Sequence, residues 1–126
     1  MRAFKGKRFA RWAKDERIGD EILLAAAVEA LAGQVEADLG GYLFKKRVAR
    51  RGAGKSGGYR TILGFRKGAN RVFFLFGFPK SERATVTPRE QAALSLVAAS
   101  LVHATDSQFA ALILNGDIFE VEQNDE

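Results

Sequence analysis

A chain of 126 residues, 47% hydrophobic and 28% charged, has the size and make-up of one globular domain with a real core. It contains no cysteine and one histidine, His103, which excludes disulfides and thiolate metal sites and leaves the imidazole without a partner ligand; a reducing, cytoplasmic setting is expected, with no metal or other cofactor. The net charge of +5 is unevenly spread, since residues 45–83 carry twelve Lys/Arg against the single acid Glu82, while residues 1–44 carry seven of each sign and residues 84–126 one base against seven acids.

A middle third so cationic calls for a polyanionic ligand; neither a lipid surface nor a small acid needs that much charge. The basic start of the chain has no apolar run and does not read as a secretory leader, and the apolar stretch at 92–102 is too short and interrupted to cross a membrane. No membrane partner is expected.

In chain order, a short strand around Ala3 and Phe4 leads into a helix that sets Phe9, Trp12 and Ala13 at helical spacing. Gly19-Asp20-Glu21 opens a second helix, its acids at the positive end, and Gly33 closes it. Ile22, Leu23, Ala26, Ala27, Ala30 and Leu31 form its buried stripe. Residues 36–41, EADLGG, read as a loop.

Three strands are predicted next. Residues 42–50 alternate, with Leu43, Lys45, Arg47 and Ala49 on one face and Phe44, Lys46 and Val48 on the other. Residues 59–66 set Thr61, Leu63 and Phe65 against Arg60, Ile62 and Gly64. Residues 71–78, RVFFLFGF, are apolar on both faces and should be the central strand, joined to the one before by a turn at 67–70. Thr87-Pro88-Arg89-Glu90 starts a helix that runs to about His103, and Thr105-Asp106-Ser107-Gln108 caps another that stops at Gly116. Residues 117–126 read as an acidic tail. The expected fold is a single α+β domain over 1–126: N-terminal helices, an antiparallel meander, C-terminal helices.

Residues 49–56, ARRGAGKS, fit the loose form of a nucleotide phosphate loop. Such a loop needs a helix after it, whose N-terminus supplies backbone donors. Here two glycines and a β-rich run follow Ser56, so no nucleotide cofactor is expected. What remains is a basic hairpin carrying Lys45, Lys46, Arg47, Arg50, Arg51, Lys55 and Arg60 without one interspersed acid. A merely solvated edge would mix its charges; phosphate binding explains the pattern better.

The series EADLGG, KKRVAR, GKSGGYR (54–60), FFLFGF (73–78) and Lys80-Ser81-Glu82-Arg83 resembles the RelE/HigB-type toxins of type II bacterial toxin–antitoxin systems, within the RelE/ParE superfamily. The likeness runs from Phe4 to Val121 and is most specific at Gly58-Tyr59-Arg60 and at residues 77–83. It implies a RelE-like fold and a metal-independent mRNA interferase that enters the ribosomal A site, cleaves the mRNA there and inhibits translation, held in check by a cognate antitoxin. Cleavage of RNA without metal means attack of a 2′-hydroxyl on the adjacent phosphate. By the resemblance Arg60 clamps that phosphate, Lys45 and Arg47 support it, and Lys80 lies after the central strand. One lysine, crowded by like charges, would serve as base and another as acid. Lys46, Arg50, Arg51, Lys55, Tyr59 and Arg83 would bind RNA or ribosome.

Ser81 stands where many relatives carry arginine, and residues 84–87 hold no tyrosine where relatives have one. Stacking on an mRNA base then falls to Tyr59, unless Tyr59 belongs to the core with Leu63 and Phe65. Glu82 is expected to pair with Arg83 or Lys80, Trp12 to be core, and His103 to be structural or solvated. Two alternatives stay open: a gyrase-poisoning toxin of the same superfamily, and a non-catalytic basic RNA-binding domain.

Overall fold

Strand β5 (Arg71–Pro79) organises the molecule. In the computed structural model, which describes residues 1–50 and 57–122, it runs through a six-stranded sheet of order β2-β3-β4-β5-β1-β6. The other strands are β1 (Arg2–Gly6), β2 (Ala37–Gly40), β3 (Leu43–Val48), β4 (Tyr59–Gly64) and β6 (Ile118–Glu120). Four helices complete the described fold: α1 (Lys7–Asp15), α2 (Asp20–Leu31), α3 (Pro88–Val102) and α4 (Asp106–Leu114).

The two-sided apolarity of β5 follows from its position between two helical layers. Val72 and Phe74 face a core built with Phe9 and Ala13 of α1 and with Leu23, Ala26 and Ala27 of α2. Phe73, Leu75 and Phe78 face a second core with Ala98 and Leu101 of α3 and Phe109 of α4. The register with β4 slips at Leu75, because Ile62 pairs with Phe76 and Leu63 with Phe74. That bulge reverses the alternation, so Phe76 and Phe78 join the α3 side and Gly77 turns to α1. Trp12 lies over Gly77 so closely that an added Cβ would sit 2.2 Å from its ring.

Three expectations need correction. EADLGG is not all loop: residues 37–40 form the edge strand β2, bent by a register shift between Asp38 and Gly40 and turned by Gly40 and Gly41 at positive φ. The glycines concealed a strand in what reads as a turn. The acidic tail is not all tail either, since β6 pairs antiparallel with β1 and Val121 is buried in the α1/α2 core; residues 123–126 lie outside the described residues. The sheet is therefore mixed rather than a simple meander, because β1 enters it parallel to β5. Both helix starts read from sequence are present as complete capping boxes, Thr87 with Glu90 and Thr105 with Gln108, each contributing about 1 kcal/mol.

Candidate phosphate-binding site

Strand pairing brings the basic residues together. Arg47 of β3 lies directly opposite Arg60 of β4, and Lys45 opposite Ile62. All three belong to the α3 side of the sheet. Ala98 packs near Gly64 and His103 meets Tyr42 edge-on, so α3 covers the other end of this ladder. Two like charges facing across a strand pair repel, and a carboxylate resolves the conflict. Glu36, just before β2, accepts from Arg60 Nε at 2.8 Å and Nη2 at 3.3 Å and from Arg47 Nε at 2.5 Å, with Lys45 Nζ 3.7 Å away. Its own N–H bonds the Lys45 carbonyl at 2.7 Å, which fixes the carboxylate to the ladder.

Burial works to raise the pKa of Glu36, but hydrogen bonds and charge from Arg60 and Arg47 outweigh it and hold the group at about 2 instead of 4.5. A group depressed in this way stabilises the fold fully above pH 4.5, and the contribution is lost as pH falls towards 2. Glu36→Gln should therefore lose less melting temperature than the wild type between those two pH values. Thermal melts of both proteins across that window measure this, taken as a difference because Glu90 and Glu120 are also held low by Arg83 and Arg2. Parallel curves would remove Glu36 as the ionised hub.

Lys80 lies beside this cluster. Its N–H bonds the Gly58 carbonyl at 3.0 Å, and with Arg47, Val48, Gly58, Tyr59 and Glu29 it lines an open groove of about 490 Å³ at the sheet end. Arg47 thus touches both the Glu36 cluster and the groove. Arg47 is largely exposed, whereas Lys45 and Arg60 are largely covered, with 15% and 13% of their side chains accessible.

The other sequence-derived positions divide. Lys46 faces the opposite way: only 9% exposed, its ammonium donates to the Gln34 carbonyl at 2.8 Å and pairs with Glu29 at 3.1 Å, which ties β3 to α2. It is a structural tie, not an outward RNA contact. Tyr59 is core, 2% exposed and edge-on to Trp12, so its ring offers no stacking surface. Its hydroxyl is buried without a hydrogen-bond partner among the described residues; burial, and then the neighbouring Glu16 carboxylate, push its pKa up. Arg50 is exposed and lies over the Tyr59 ring at 5.9 Å. Arg83 pairs with Glu90 rather than Glu82 and stacks on Phe76 and Phe78. Arg51 and Lys55 lie outside the described residues, as does most of the 49–56 motif. The chain that follows enters strand β4 at Tyr59, not a helix.

Sequence reasoning missed Glu36. It sits just ahead of the cationic third, and its signal was the strand at 37–40. A hairpin through Gly40 and Gly41 pairs Ala37 with Lys45, which sets Glu36 among the bases.

A sheet with this cationic cluster on one face accords with the family comparison, in which the model for the RelE toxin of the RelE/RelB toxin–antitoxin system matches residues 1–121. The chain belongs to the RelE toxin family. A search of curated proteins finds no match. Membership of the RelE toxin family makes this a toxin of a toxin–antitoxin system, with an antitoxin as partner. Within such a toxin, the Arg47–Arg60–Lys45 cluster is equipped to hold an anion with two oxygens in the guanidinium plane.

Proposed function

We propose that this toxin is a ribosome-dependent mRNA endonuclease acting in the A site, without metal or other cofactor. One observation carries the reading: three cations from two adjacent strands converge on a single carboxylate. Glu36 stands where a substrate phosphate would bind, and a phosphodiester offers the same pair of oxygens to Arg60 and Arg47 with an additional charge in the transition state.

In the reaction the 2′-oxygen attacks the adjacent phosphorus, its proton passing to a base, while the 5′-oxygen leaves with a proton from an acid. The products are a 2′,3′-cyclic phosphate and a 5′-hydroxyl. Arg60 and Arg47 hold the two non-bridging oxygens as charge grows on phosphorus. Lys45, 3.7 Å from the Glu36 carboxylate, and Lys80, which shares a groove with Arg47, supply the proton donor and acceptor. Glu36 keeps the two guanidinium groups aligned until substrate replaces it.

Primer extension on a defined mRNA, with and without bacterial ribosomes, tests the proposal. Cuts that require ribosomes and leave cyclic-phosphate ends are expected. Intact mRNA in both reactions sinks it, and a gyrase assay would then be the next measurement. Salt-sensitive RNA binding without cleavage would instead identify a non-catalytic domain.

A further inference from the structure

Arg60 grips a two-oxygen anion through one edge of its guanidinium, and that edge is already taken. Its Nε and Nη2 both donate to Glu36, at 2.8 and 3.3 Å, and Arg47 Nε donates to the same carboxylate. A phosphodiester needs those same donors, so it and Glu36 cannot occupy the cluster together. Little of the contact is open to solvent, since only 18% of the Glu36 side chain is accessible. In this structure the cluster is closed to a second anion by one that the chain itself provides.

Glu36 can let go without any unfolding. Its N–H is held on the Lys45 carbonyl at 2.7 Å, and the next residue, Ala37, is in register with Lys45. With the backbone fixed, release needs only side-chain torsions. Beside the cluster, an open pocket of about 430 Å³ lined by Gln34, Val35, Glu36, Lys46 and Arg47 gives the carboxylate space to swing into. Arg60, Arg47 and Lys45 would then face a ligand without the opposing charge.

The energetics decide which RNA opens the cluster. A carboxylate held by its own side chain competes at an effective concentration on the order of millimolar or above. A free strand brings one phosphodiester to the cluster and must be ordered as well. On a ribosome the mRNA is already ordered, and contacts made away from the scissile phosphate offset the cost of releasing Glu36.

We propose that Glu36 is a built-in counter-anion that keeps the cluster shut to free RNA and makes cleavage depend on the ribosome. This rests on the ribosome-dependent nuclease proposed above and goes beyond it by assigning the dependence to a residue. Glu36 acts through Arg60 and Arg47 as a positioning residue and takes no part in proton transfer.

Two measurements on the full chain test this. The first titrates inorganic phosphate against wild type, Glu36→Gln and Glu36→Gln/Arg60→Ala, with the rise in melting temperature as readout. The second follows cleavage of one defined mRNA with and without ribosomes. Glu36→Gln keeps the shape of the side chain without its charge. It should bind phosphate about 10- to 100-fold more tightly than wild type, the strength of one charge-assisted hydrogen bond. Removing Arg60 as well should cancel the gain. The ratio of ribosome-free to ribosome-bound cleavage should rise in Glu36→Gln by a similar factor. Glu36→Asp, one methylene shorter and still charged, should move both readouts the same way by less, and replaces the neutral variant if that fails to fold. Unchanged phosphate affinity in Glu36→Gln overturns the inference alone. So does an equal loss of cleavage with and without ribosomes, which would make Glu36 a group required in the reacting complex and not a gate. Wild-type protein that leaves ribosome-bound mRNA intact overturns the proposed function and this inference together.

Discussion

Arg60→Ala is expected to slow ribosome-dependent mRNA cleavage about 100- to 1000-fold, the usual loss on removing one well-placed donor to a developing oxyanion. Ribosome affinity should fall by less than about tenfold, because under the proposed function Arg60 would contribute one phosphate contact among many. The covered guanidinium donates to both oxygens of Glu36 through Nε and Nη2, so it is already set for a two-oxygen anion. Arg60→Lys should recover little, since a point charge cannot take both oxygens at once. The strand itself should survive, as Arg47 still holds Glu36. Single-turnover cleavage on saturating ribosomes, with a melting curve for each variant, separates chemistry from folding. Wild-type rates in Arg60→Ala, with cleavage otherwise established, would place the phosphate elsewhere on the sheet.

Phe74→Ala is expected to destabilise the domain by about 3 to 5 kcal/mol, the range for emptying a buried aromatic site. For a chain of this size that corresponds to a melting temperature lower by roughly 10–15 °C. Phe74 is completely buried, stacks on Phe9 at 5.2 Å, and lies where β5 meets both β1 and β4. The ring belongs to the core shared with α1 and α2, and closing α1 over the emptied space would shift Trp12, which lies against Gly77. Phe119→Ala serves as the comparison, because Phe119 on the edge strand β6 is 43% exposed and should change stability by about 1 kcal/mol or less. Similar melting temperatures for the two variants would show that β5 is not the centre of the core.

The amino-acid sequence by itself determined the local elements whose signals are carried by neighbouring residues. Thr87-Pro88-Arg89-Glu90 and Thr105 to Gln108 start helices because each cap and its partner lie within one turn. RVFFLFGF announced a strand buried on both sides, and the alternation at 42–50 placed Lys45 and Arg47 on one face before any partner was known. The family resemblance came from the same local motifs, and the family comparison bears it out. What only the tertiary structure decided depends on contacts between distant positions. β1 pairs with β5 across more than half the chain and β6 pairs with β1 across nearly all of it, which no local periodicity encodes. Alternation set Lys46 on the face opposite Lys45 and Arg47, but only packing showed that the Gln34 carbonyl and Glu29 meet its ammonium. Tyr59 was core or contact until Trp12 closed over it. Glu36 entered the site through the register of β2 on β3, and charge counted along the chain could not show that one carboxylate would settle between two arginines. Local sequence fixes which way a side chain leaves the backbone; only long-range packing fixes what it meets there.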